Sequence, residues 1–188
     1  MESSPAELIL RGGAERRLRG GHLWIYSNEI DSQRSPLGKF TAGDAVLVLS
    51  GRGEHLGSAY MDPHSLICAR LYAPGEGRPL DQELITERLQ SALALRKRAF
   101  AEPCYRLVYG DSDGLPGIVV DRFGDFLVVQ LNNLAVERYR EPLLSALVDV
   151  LKPKGILLRG DSRSRRQQGL PTDSEVVFGT CLLYTSLS

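Results

Sequence analysis

The sequence lacks most of the features that announce a function outright. Its 188 residues hold three cysteines, one tryptophan and no excess of either charge, with 23 basic residues against 23 acidic ones. That balance excludes a whole-protein electrostatic grip on a polyanion, so any nucleic-acid contact must come from a local patch. Cys68, Cys104 and Cys181 are far apart and form neither a disulfide framework nor a paired C-x-x-C zinc pattern. They read as reduced thiols of a cytoplasmic protein. No apolar run approaches the roughly 18 residues that span a bilayer. Met1-Glu2-Ser3-Ser4-Pro5 has no basic start leading into an apolar stretch, so neither membrane insertion nor a secretory leader is expected.

Signatures of bound groups are missing too. There is no G-x-x-x-x-G-K-S/T, and no G-x-G follows a strand inside a βαβ pattern, so a phosphate cradle or Rossmann-type cofactor loop is not visible. His22, His55 and His64 have no ligand-like spacing, and no metal is expected. Gly110-Asp111-Ser112-Asp113-Gly114-Leu115-Pro116-Gly117 opens with a calcium-like D-x-D. However, the sixth position from Asp111 is Pro116 and the twelfth is Arg122, where a glycine and a bidentate acid are required. The segment reads instead as a rigid turn. No serine or cysteine has a base that sequence alone can place beside it, and no active site is legible.

What is present is a change of pattern partway along the chain. Residues 7–10, 22–26, 45–49, 55–60 and 66–72 read as short strands separated by turns, with a helix of about one and a half turns over 14–19 closed by Gly20-Gly21. That spacing suggests a compact β-barrel or sandwich. Residues 73–79, with two glycines and two prolines, read as a linker. From Asp81, an N-cap candidate, apolar residues at i+3 and i+4 predict a helix to Phe100. Strands over 105–109, 117–121 and 126–131, a helix over 135–151 interrupted only by Pro142, and strands over 156–158 and 175–178 make an α+β sandwich. The expected domains are 1–76 and 77–180.

Two basic clusters stand out. Arg11, Arg16, Arg17 and Arg19 surround the first helix and run into His22 and Trp24. Lys152, Lys154, Arg159, Arg163, Arg165 and Arg166 form the second, with Asp161 as its only acid. Guanidinium groups beside an aromatic strand suit RNA, because they pair with phosphates and stack on bases. An ordinary solvated face, with Trp24 buried in the barrel, is the alternative. Arg11, Arg16 and Arg19 recur at spacings that share a face, whereas Arg17 points about 100° away from Arg16.

Arg11-Gly12-Gly13 through Gly21-His22-Leu23-Trp24 and Ser27-Asn28-Glu29-Ile30 resembles the bacterial large-subunit ribosomal RNA cytosine-C5 methyltransferase family. So do Tyr105-Arg106-Leu107-Val108, Gly110 to Gly117, Asp121-Arg122-Phe123-Gly124 and Leu127-Val128-Val129-Gln130. Leu23 departs from the proline usual between the His and Trp. The resemblance covers nearly all of 7–179. It implies a small PUA-like, RNA-binding β-barrel followed by a central α+β domain, and it places the recognition surface at the small helix and the strand after it. That surface coincides with the first basic cluster, so Arg11, Arg16, Arg19, His22 and Trp24 are the expected RNA contacts. Arg163, Arg165 and Arg166 are a second candidate surface. In that family a third, Rossmann-like domain binds S-adenosylmethionine and carries the nucleophilic cysteine, and no residue here matches that domain. The expectation is therefore an N-terminal fragment with no catalytic, cofactor-binding or metal-binding residue of its own. Its expected partner is large-subunit ribosomal RNA, with a homodimer left open. A non-catalytic adaptor that binds RNA or docks a protein is the rival reading. Residues 181–188 resemble a translated adapter and are expected to be non-native; an ordinary terminal strand is the alternative.

Overall fold

The computed structural model describes residues 5–180, which form two compact units dividing between Leu80 and Asp81. The first contains β1 (Ala6–Ile9), α1 (Glu15–Arg19), β2 (Trp24–Tyr26), β3 (Ala45–Leu49), β4 (His55–Met61) and β5 (Ile67–Pro74). Its sheet has the order β1-β3-β4-β5-β2, with β1 parallel to β3 and the other neighbours antiparallel. The two-residue period of β3 does its expected work: Val46 and Val48 are buried while Ala45, Leu47 and Leu49 are half-covered. Leu8, Leu10, Ile25, Leu56, Ala59, Met61 and Leu71 complete the core, and Leu18 of α1 packs against it.

A bridge between Leu10 and Ile30 closes the sheet. Arg11 N–H donates to the Glu29 carbonyl (2.8 Å) and Asp31 N–H to that of Ile9 (3.0 Å), joining the continuation of β1 to the segment after β2. Both edges are thereby occupied, and the sheet becomes a small barrel. Strand β4 can approach β5 only because residue 57 is glycine. Its φ is +142°, and a Cβ there would lie 2.6 Å from the Ala73 carbonyl oxygen. Strand β5 itself runs through Ala73 and Pro74, which composition assigned to the linker. As the last residue of the strand, Pro74 needs no ladder N–H.

The second unit contains α2 (Gln82–Ala99), β6 (Cys104–Tyr109), β7 (Ile118–Phe123), β8 (Phe126–Leu131), α3 (Leu134–Glu137), α4 (Arg140–Leu151), β9 (Gly155–Leu158), α5 (Arg163–Gln167) and β10 (Glu175–Gly179). Its sheet order is β10-β9-β8-β7-β6, and only β8 and β9 run parallel, joined through α3 and α4. Asp81 caps α2 by accepting from Leu84 N–H (2.9 Å), and the helix buries Leu84, Ile85, Leu89 and Ala92 as it packs on α4 and β6. The architecture is α+β, a barrel followed by a sandwich.

Two local expectations change. The helix over 135–151 is two helices: Asn133 caps the short α3 through Val136 N–H (3.0 Å), and α4 restarts at Arg140. Pro142 then falls in the first turn of α4, where a missing N–H costs no helical bond. Helix α5, unrecognised in the sequence, is capped by Ser162, which accepts from Arg165 N–H (3.3 Å). The rigid turn expected at 110–117 is a 3-10 turn fastened to α2. Both oxygens of Asp113 receive Arg96 at 2.7 Å, and one also accepts Tyr109 N–H at 2.7 Å. No described helix is long and apolar enough to cross a membrane. Residues 181–188, Cys181 included, lie outside the described residues.

Candidate RNA-binding face

Helix α1 sits on the barrel through Leu18 and presents its arginines around that anchor. Gly13 N–H donates to the Glu15 carboxylate (2.8 Å) at its start. At its end Gly20 N–H returns to the Arg16 and Arg17 carbonyls, and Gly21, with φ +92°, turns the chain into β2.

The four arginines then part company. Arg17 is half-buried, with its guanidinium 2.5 Å from Glu29 and 4.9 Å above the Tyr26 ring. Glu29 also accepts Tyr26 N–H (2.8 Å), so Arg17 clamps α1 to β2 rather than facing outward. Arg11 lies in the loop before α1, not on the helix, so helical spacing relates only Arg16 and Arg19. Its Nε donates to the Ile30 carbonyl (2.9 Å), which fixes the stem of an exposed side chain. Arg19 is exposed and ion-paired with Glu54. Arg16 is exposed and carries no ion pair among the described residues.

His22 is exposed. Trp24 does not enter the barrel: Ile25 takes the inward position at 0% exposure, and Trp24 remains 39% exposed on the edge of the sheet, paired in register with Arg70. Arg11, Arg16, Arg19, His22 and Trp24 are thus each exposed within the loop–helix–strand segment 11–24. The partners Glu29 and Glu54 went unrecognised in the sequence, because they lie 12 and 35 residues from the arginines they hold and no local spacing reports such pairs.

The second cluster disperses. Lys154 pairs with Asp125 (2.7 Å) and Arg159 with Asp161 (2.6 Å). Hydrogen bonding from Arg159 holds the Asp161 carboxyl below its ordinary range. Arg165 is 5% exposed and committed to the Leu131 carbonyl (2.7 Å), the Pro171 carbonyl (2.9 Å) and Glu137. That leaves it no freedom to meet a phosphate. Only Arg163 and Arg166 of the expected trio remain exposed.

Residues 8–74 match the family model of the PUA-like domain. The barrel is a PUA-like domain. Its α1–β2 face is the part just described, and the likeness to known proteins extends well past it. Ribosomal RNA large subunit methyltransferase I of Shewanella denitrificans is 37% identical over 173 residues, covering 90% of this chain and 43% of the relative. The protein of that name from Alteromonas mediterranea is 30% identical over 178 residues, covering 93% and 44%. A solved Streptococcus mutans structure described as a SAM-dependent methyltransferase superposes with a TM-score of 0.75 at 21% identity, covering 94% of this chain and 44% of that one. A second solved structure, described as a methyltransferase complexed with SAH, gives a TM-score of 0.76 at 21% identity. The chain spans less than half the length of the curated relatives it matches.

The turn that opens the parallel crossover of the second unit does not fit S-adenosylmethionine. The one parallel pair of the second unit, β8 and β9, is joined through Asn132-Asn133 without a glycine. Two helix donors at that turn are already taken, Val136 N–H by Asn133 (3.0 Å) and Leu134 N–H by Gln168 (2.7 Å), so neither is free to hold a ligand. Among the described residues no group of His, Cys, Asp and Glu could hold a metal ion.

Proposed function

We propose that the chain is the RNA-holding part of a cytoplasmic large-subunit ribosomal RNA methyltransferase, with the α1–β2 face of the PUA-like domain engaging the RNA. The observation that carries this is the exposure of Arg11, Arg16, Arg19, His22 and Trp24 together on that domain. Arginine supplies phosphate contacts and Trp24 an aromatic face for an unstacked base. The relatives supply the substrate class. In this reading the whole protein methylates C5 of a cytosine, using S-adenosylmethionine as methyl donor and a cysteine thiolate as nucleophile. Both would be housed by residues other than those described. Burial raises the Cys68 thiol to about 12, the wrong direction for a thiolate nucleophile.

Titrating fluorescently labelled large-subunit ribosomal RNA fragments tests the reading. Affinity should fall linearly in log–log form as salt rises, and calorimetry with S-adenosylmethionine should show no binding. Absent or salt-indifferent RNA binding would leave the protein-docking adaptor, and micromolar cofactor binding would overturn the division of labour.

A further inference from the structure

A second surface, in the other unit, has the same chemistry in a different arrangement. Tyr109 ends β6 with 57% of its surface exposed, and the Arg106 guanidinium sits 5.3 Å from its ring centroid. Arg106 is itself held by two bonds to Asp121, at 2.8 and 3.1 Å. The ring is therefore fixed on one side and open on the other. In register, Tyr109 stands beside Val119, and Val119 beside Gln130. Arg159 follows on the next strand, its N–H bonded to the Val129 carbonyl (2.8 Å). Alternation places the four side chains in one row, about 14 Å across at three inter-strand spacings.

Helix α5 follows Arg159 at the same end of the sheet. Arg165 turns inward and staples the helix to the end of β8 through the Leu131 carbonyl. Its neighbours Arg163 and Arg166 are three residues apart and share the opposite side of the helix. Both are exposed. Arg163 has no ion pair among the described residues, and Arg166 donates only to the Asp161 carbonyl (3.2 Å). The other charges here cancel, Arg106 against Asp121, Arg159 against Asp161 and Arg165 against Glu137. Arg163 and Arg166, neither in an ion pair among the described residues, remain on a stapled helix at the same end of the sheet as the open Tyr109 ring.

We infer that this end of the second sheet binds single-stranded RNA, with Tyr109 stacking a base and Arg163 and Arg166 contacting phosphates. Sheet-mounted aromatics stack bases irrespective of sequence, and paired cations track the backbone. An apolar protein partner would leave the two cations without counter-charges. The inference rests on the RNA-binding reading above and extends it to a second, independent contact.

The test is fluorescence anisotropy of the full chain with a labelled single-stranded oligoribonucleotide across a salt series. Y109A should weaken binding about 5- to 150-fold with the salt slope unchanged, and Y109F should retain wild-type affinity. R163A/R166A should flatten the log K against log salt slope by about 1.4 units, at roughly 0.7 per phosphate contact. The single variant R163E, on an exposed unpaired side chain, gives a second readout should the double variant fail to fold. Wild-type affinity in Y109A, or a wild-type slope in folded R163A/R166A or R163E, overturns the inference. No RNA binding by the wild-type chain removes the general reading as well. Binding sensitive only to Arg11, Arg16 and Arg19 removes this contact alone.

Discussion

Arginine occurs in this chain as clamp, staple and free cation, and the surroundings of each side chain decide which. Arg17 and Arg165 have carboxylates and carbonyls within reach and lose their freedom to them. Arg16 and Arg163 form no ion pair among the described residues and keep it. Arg96 is the clearest structural case, because its pairing with Asp113 is both bidentate and largely covered, at 14% and 6% side-chain exposure. Removing one partner would strand the other charge, so Asp113→Ala should cost about 3–5 kcal/mol in urea unfolding. A loss below about 1 kcal/mol would mean the turn at 110–117 holds itself.

Cys68 makes a prediction of a different kind. It is fully buried, donates to the Ile25 carbonyl (3.4 Å), and has a thiol raised by burial from 9.0 to about 12. In the native protein Cys104, which is exposed, should react with a thiol reagent while Cys68 reacts only on unfolding. The unfolded thiol releases its proton above about 9 and the folded one does not. Stability contributed by the neutral thiol is therefore present below pH 9 and lost as pH rises towards 12. Urea midpoints of wild type and Cys68→Ala should converge over that window; parallel pH profiles would contradict it.

At the level of elements, Lys152 ends α4 in the left-handed region at φ +46°, the only non-glycine with positive φ among the described residues. Lys152→Gly should stabilise the unit by about 0.5–1 kcal/mol, read as a raised urea midpoint, because glycine adopts that conformation without steric cost. An unchanged or lower midpoint would show that the lysine side chain earns its place. Elements like α2 and β3 are legible from sequence because their signals are local: a capping Asp81, an apolar period of three to four, a strict alternation of two. Helix α5 is not, since its stability comes from Arg165 reaching Leu131, 34 residues away. The split of α3 from α4 is signalled by Pro142 only once the start of α4 is known. The parallel pairing of β8 with β9 leaves no mark in either strand.

On the scale of the whole molecule, the barrel and the sandwich were both legible as classes, and the RNA candidates were legible as clusters. Which members of a cluster face outward was not, because long-range ion pairs decide it. A chain with 23 charges of each sign has no net charge to draw RNA from a distance, so a few exposed arginines must account for its salt dependence. The measurement that bears most directly on this account is the salt slope of RNA binding for the variant R11A/R16A/R19A. If each side chain makes one phosphate contact on single-stranded RNA, the slope should flatten by about two units relative to wild type. An unchanged slope, with the fold intact by circular dichroism, would contradict the placement of RNA on the α1–β2 face.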